Sequence, residues 1–125
     1  MMEDNDISKE VLDAAITVHR TLGGPGLLES VYQDALAYEL AQRGLKVEKE
    51  VHVPVTYKGV VVGDPLRIDL LVEGRVVVEC KATDKDNPIY AIQTLTYLRL
   101  MNLHLGLLIN FGKETLIAGF KRVVN

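Results

Sequence analysis

Apolar positions first recur at helical spacing. Ile7, Val11, Leu12, Ala15, Val18 and Leu22 form one stripe, which predicts a helix over residues 7–22 with Ser8 placed to cap it. Gly23, Gly24, Pro25 and Gly26 then break the chain. Val31, Leu36, Ala37 and Leu40 predict a second helix over residues 28–43, with Gly44 as its stop. The period then shortens. Val47, Val51, Val53 and Val55 alternate with Glu48, Glu50, His52 and Pro54, and residues 60–62, 66–72 and 75–80 are β-rich. Lys58-Gly59, Gly63-Asp64-Pro65 and Glu73-Gly74 supply the turns between them. Helical spacing returns over residues 88–102, with Pro88 in the first turn. Residues 105–110 read as a short buried strand, and residues 115–123 as a last edge strand.

The order α-α-β-β-β-α-β-(β) predicts an α/β (α+β) fold: a mixed sheet with helices on its faces. The step from the Val76 strand through the Pro88 helix to the Leu105 strand reads as a crossover between parallel strands. With 125 residues the chain suits one domain. We expect residues 1–6, which are acidic and polar, to be disordered, and residues 7–125 to form that domain.

Composition narrows the function. Hydrophobic residues make up 48% and charged residues 25%, so wholesale disorder is excluded. Cys80 is the single cysteine, so no internal disulfide or cysteine-based zinc cluster can form. Residues 1–6 do not read as a signal peptide, no apolar run reaches membrane-spanning length, and a cytoplasmic location is expected. The formal net charge of −3 argues against a protein that coats nucleic acid by bulk positive charge.

One segment carries charge where a strand should be apolar. Asp69 interrupts one β-rich run, and Glu79 and Lys81 close the next. Charged side chains are rarely buried unless they are paired or ligate a metal. Glu79 and Lys81 share a strand face, and Cys80 points to the other. Two carboxylates beside an ammonium can hold a hard divalent cation and position a water, and magnesium suits such a site. Asp69 reaches the Glu79 face only if the intervening turn is odd. We therefore expect a three-residue loop at Val72, Glu73 and Gly74, with Gly74 left-handed and Leu71 facing Arg75, or an equivalent bulge. The bland alternative is a buried ion pair of Asp69 with Arg67 or Lys81. Gln93 and Tyr97 share a face of the third helix, and Glu29 and Tyr32 one of the second. His52 and His104 read as structural or solvated, His19 as lying at most at a site edge, and Cys80 as core. The glycines at 23–26 lack the Lys-Ser/Thr of a phosphate-binding loop, and no nucleotide cofactor is expected.

Asp69, Glu79-Cys80-Lys81 and Gln93-Thr94-Leu95-Thr96-Tyr97, in this order, resemble the PD-(D/E)XK nuclease superfamily, the Gln-x-x-x-Tyr element its RecB-type branch. Gly26-Leu27-Leu28-Glu29-Ser30-Val31-Tyr32 resembles the signature of the small GxxExxY proteins assigned to that superfamily. The resemblance runs from about Ile7 to Val123 and includes Val18-His19-Arg20 and Leu107-Leu108-Ile109-Asn110-Phe111. It implies a restriction-endonuclease-like αβββαβ core with an extra N-terminal helix. It also implies roles. Asp69 and Glu79 would bind Mg2+ or Mn2+, with the Cys80 backbone carbonyl as a further ligand. Lys81 would orient the attacking water or stabilise developing charge, and Glu29 would complete or support the site. Gln93 and Tyr97 would contact the scissile strand or orient the site.

The leading expectation is a metal-dependent nuclease hydrolysing phosphodiester bonds of nucleic acid, DNA favoured. The alternative is a catalytically inactive module of the same fold that binds nucleic acid or a protein partner, a homodimer included. The acidity then takes on a different meaning, because Glu29, Asp69 and Glu79 would converge where a cation neutralises them. Arg67 would contact substrate from the Asp69 face, and Lys85, Arg99, Lys121 and Arg122 are candidates for a phosphate-contacting rim. Without the cation the pocket should repel phosphate.

Overall fold

The computed structural model describes residues 2–125. Three helices, α1 (Asp4–Thr21), α2 (Glu29–Gln42) and α3 (Pro88–Met101), accompany seven strands: β1 (Val47–Val53), β2 (Thr56–Tyr57), β3 (Val60–Val61), β4 (Leu66–Val72), β5 (Val76–Lys81), β6 (Leu105–Asn110) and β7 (Phe120–Val124). A 3-10 turn, Ile117–Gly119, precedes β7 within the segment expected to be one continuous edge strand.

The first helix begins earlier than its apolar stripe. Glu3 is the N-cap, and the Asp6 carboxylate accepts the Glu3 N–H at 3.2 Å, one half of a capping box. Residues 4–6, expected to be disordered, are therefore the first turn, with Asp4 and Asp6 at the positive end of the helix. Met1 lies outside the described residues. Ser8, expected as the cap, is instead buried inside α1, where its hydroxyl accepts a hydrogen bond from Arg122 at 3.0 Å. Gly44 ends α2 as expected: at φ +86° its N–H reaches Ala41 O, and Leu45 N–H reaches Leu40 O. Arg43 ties α2 to α1 through Asp13 at 2.6 Å and Thr17 Oγ1 at 3.2 Å.

Five strands form one sheet in the order β1-β4-β5-β6-β7, and β2 and β3 form a separate exposed ribbon. Central β5 runs antiparallel to β4 and parallel to β6, as the crossover reading requires. Ile7, Val11, Leu36 and Leu40 of α1 and α2 pack on one sheet face, over Leu70, Val78, Cys80, Leu107 and Ile109. On the other face α3 packs Leu98 against Ile68, Val77 and Val123.

Two local irregularities set up the site. Three residues, Glu73, Gly74 and Arg75, separate the paired Val72 and Val76. The loop is odd, as the parity argument demands, but sits one residue later than expected, with Val72 rather than Leu71 as the last pair of β4. Glu73 and Gly74 are both left-handed, at φ +55° and +64°. The second irregularity lies between β1 and β4. Val47 and Leu70 face α1 and α2, whereas Val51, Val53 and Ile68 face α3. Alternation therefore inverts in both strands at Glu50 and Asp69, the opposed positions missing from an otherwise continuous ladder. Glu50 takes φ +53°, a region few non-glycine residues occupy. The hydrophobic pattern shows no sign of this inversion.

Candidate active site

Where β4 meets β5, the backbone ladder stops at Leu70–Val78 and two carboxylates continue it. Asp69 Oδ2 accepts the Cys80 N–H at 2.9 Å, and Glu79 Oε1 accepts the Asp69 N–H at 3.4 Å. Each acid thus has one oxygen held by the opposite strand. Neither carboxyl accepts a further N–H among the described residues, and the two lie close enough to share a proton. Both residues are buried, at 7% and 6% exposure. Burial raises the Glu79 carboxyl above the usual carboxylate range, and the neighbouring Asp69 charge adds to the rise.

Neither acid has a cationic partner among the described residues. Arg67 turns to Glu50 at 2.6 Å, and Lys81 lies 4.0 Å from Glu29. This overturns the alternative in which Asp69 is neutralised by Arg67 or Lys81. Two adjacent buried carboxylates without a counter-charge are costly, and a hard cation is the partner that their oxygens fit. Among the described residues no three His, Cys, Asp or Glu side chains are grouped to hold a metal, so Asp69 and Glu79 are a two-acid set. That suits a cation that keeps several waters. The Cys80 carbonyl points to the same strand edge as its N–H, toward the gap in the ladder. Its thiol faces the core, and burial pushes the thiol well up, so it is inert.

Lys81, two residues after Glu79, shares its face. Its Nζ lies between Glu29 and the ring of Tyr90, 4.5 Å from the ring centroid. Glu29 arrives as the first residue of α2, and burial raises its carboxyl, with Lys81 opposing the rise. The Gly-x-x-Glu-x-x-Tyr spacing has a physical reading. Gly26 takes φ +113° in the turn before α2. Tyr32, one turn after Glu29, points inward to stack on Phe111 at 4.8 Å. Its hydroxyl donates to Gly24 O at 2.6 Å and accepts from Leu27 N–H at 3.2 Å. The glycine loop is thereby pinned to the helix that carries Glu29.

Glu29, Asp69, Glu79 and Lys81 therefore come together, with Arg67 close enough for its charge to act on Glu29. No hydrogen bond or ion pair joins Gln93 or Tyr97 to them among the described residues. Gln93 is exposed, and Tyr97 is half-buried against the cluster beneath α3. Tyr90, one turn before Gln93 on the same helix face, makes the contact with Lys81. Sequence reading missed it, although the i, i+3, i+7 series of Tyr90, Gln93 and Tyr97 was available. Asn110 carries no signal of its own in the sequence beyond its place in the stretch Leu107-Leu108-Ile109-Asn110-Phe111. It is buried, accepts the Thr83 and Gly112 N–H groups at 3.1 and 2.9 Å, and donates to Thr83 O at 2.9 Å. It fixes the chain just beyond Lys81.

Of the rim candidates, Arg122 is committed to Ser8 and Asn5 of α1 at 3.0 Å each. Lys85, Arg99 and Lys121 are exposed. His19 is buried against Lys113 O at 3.0 Å, and His52 and His104 are exposed.

The mixed five-stranded sheet thus opens between two antiparallel strands around an acid pair with a lysine beside it, a donor set that could hold a hard cation. The family model described as the PD-(D/E)XK nuclease superfamily matches residues 5–123. The chain belongs to that superfamily, whose nucleases generally use divalent metals. No curated protein and no solved structure matches the chain at a significant level. No helix is long and apolar enough to cross a membrane among the described residues.

Proposed function

We propose that the protein is a divalent-metal-dependent nuclease that hydrolyses phosphodiester bonds of nucleic acid, DNA in preference to RNA, and that it belongs with the GxxExxY proteins and the RecB-type branch. The observation that carries this reading is the buried pair of Asp69 and Glu79, each with one oxygen anchored by the opposite strand and neither matched by a cation among the described residues. Asp69 and Glu79 would hold Mg2+ or Mn2+, with the Cys80 carbonyl turned to the same gap. When bound, the cation supplies Lewis-acid polarisation of the phosphate and makes a water more acidic. Lys81 donates hydrogen bonds to a phosphoryl oxygen or to the attacking water. Glu29 and Tyr90 restrain the lysine from two sides, and the 4.0 Å separation from Glu29 leaves its ammonium free to turn toward substrate. Arg67 adds positive charge near the acids, and Gln93 and Tyr97 extend the Tyr90 face of α3 along which a strand can lie.

The test is a cleavage panel with Mg2+ and Mn2+ on single-stranded, duplex, flapped and RNA substrates. Cleavage should appear with metal and fall by about a hundredfold or more in Asp69→Asn, Glu79→Gln and Lys81→Ala. Homogeneous protein that binds Mn2+ but cuts none of these substrates would instead support the inactive binding module.

A further inference from the structure

A cavity of about 370 Å3 opens beside Lys81, on the sheet face covered by α3. Lys81 forms part of its wall, and Glu79, two residues earlier in β5, lies on the same sheet face. Leu108 and Ala91 give it apolar surface, Tyr90 an aromatic one, and Lys121 a second cation. Register places these groups independently of the cavity itself. Glu79 pairs with Leu108 across β5 and β6, and Leu108 with Lys121 across β6 and β7. Directly paired residues share a sheet face. Glu79, Leu108 and Lys121 thus form one row across three strands, about 10 Å from end to end. Lys121 has no ion pair among the described residues, whereas the acid on the same wall, Asp86, is held by Lys113 at 3.2 Å.

We propose that this cavity receives one unpaired nucleotide next to the scissile phosphate, so that the substrate is a single strand, a flap or a frayed end rather than continuous duplex. The proposal rests on the nuclease reading and adds the substrate class to it. Size sets the first limit: the volume lies at the small end of ligand pockets and holds one nucleotide. Shape sets the second. The walls come from the α3 side, from β6 and from Ala118 and Gly119 before β7, an arrangement that suits a base turned out of its stack. Charge sets the third. One phosphate cannot span from β5 to β7, so Lys81 attends the scissile group while Lys121 meets the phosphate of the neighbouring nucleotide. The apolar floor and the Tyr90 ring suit a base of any identity, because every base has a π-face.

Ala118 is exposed at the cavity rim, so Ala118→Trp fills the space without disturbing the core. Lys121→Glu reverses the second cation. Binding of a fluorescent single-stranded oligonucleotide, as DNA and as RNA, is followed by anisotropy, and Mn2+-dependent cleavage of tailed duplex and covalently closed duplex is followed in parallel. Wild-type protein should bind the single strand and cut the tail, leaving closed duplex at least tenfold slower. Each variant should weaken binding and tail cleavage at least tenfold, with melting temperature and Mn2+ binding unchanged. Closed duplex cut as fast as the tail, or Ala118→Trp indistinguishable from wild type, would overturn the pocket while leaving a nuclease. Single-strand binding that depends on Ala118 and Lys121 without cleavage of any substrate would uphold the pocket and remove the nuclease reading.

Discussion

Glu79 is the residue whose chemistry the fold disturbs most. Burial first, and the Asp69 charge second, raise its carboxyl pKa above its value of 4.5 in an unfolded chain. Between those two values the folded state holds a proton that the unfolded state has lost, so stability falls as pH rises through that window. In chelator, the unfolding free energy of wild type, read from urea denaturation, should therefore decline above pH 4.5 relative to Glu79→Gln, by at most about 1.4 kcal/mol per pH unit. Gln keeps the oxygen that accepts the Asp69 N–H and removes the charge. Parallel pH profiles for the two proteins would refute the buried acid pair. Asn110 offers a second test. Asn110→Ala leaves the Thr83 and Gly112 N–H groups without their acceptor and should cost about 2–4 kcal/mol in denaturant unfolding. At this scale the sequence was informative about which side chains are out of place: Asp69, Glu79 and Lys81 all stand in apolar runs. It was silent on Asn110 and Tyr90, whose roles depend on neighbours such as Thr83 and Lys81 that no local period brings together.

Among the elements, the β4–β5 hairpin decides whether an acid pair exists. A three-residue loop and a two-residue loop differ only by Arg75, yet they send Asp69 to opposite faces. Parity was therefore deducible from chemistry, since the acids must meet, while the exact pair closing the loop was not. Gly74 at φ +64° makes a specific demand. Gly74→Val places a β-branched side chain in the left-handed region and should destabilise by about 1–2 kcal/mol, whereas Gly74→Asn should cost less, measured by urea unfolding. A larger loss of Mn2+ affinity in the Val variant than in the Asn variant would show that the hairpin sets the acid geometry. The inversion at Glu50 and Asp69 illustrates the opposite case. Its cause is paired backbone geometry in two strands, and a hydrophobic pattern reports faces only where alternation is unbroken. Tyr32 joins a third element to the site. Tyr32→Phe removes the hydroxyl bonds to Gly24 and Leu27 at a cost of about 1–2 kcal/mol, and it should loosen Glu29 while leaving the Phe111 stack in place.

For the whole molecule, a net charge of −3 and a site built on acids make cation binding a term in folding as well as in function. Mn2+ at about a hundred times its dissociation constant should stabilise the protein by about 2.7 kcal/mol, read as a rise in melting temperature of several degrees. The gain should vanish in Asp69→Asn, and a rise that persists there would place the ion elsewhere. The fold class was readable from the order of periods because each element has its own apolar signature. Boundaries moved where capping or ladder bonds rather than burial end an element, as at Asp4 and in the 3-10 turn before β7. The kinetics carry a further consequence of the hairpin. Asp69 and Glu79 stand only 10 residues apart on adjacent strands, whereas Lys81 depends on Glu29 from a distant part of the chain. A chain that closes the hairpin early meets the repulsion of the two acids before most of the remaining sheet can offset it. A cation present from the start would relieve that repulsion in the transition state, so Mn2+ should speed refolding and not merely slow unfolding. In a stopped-flow chevron the folding limb would rise with metal in wild type and stay fixed in Asp69→Asn.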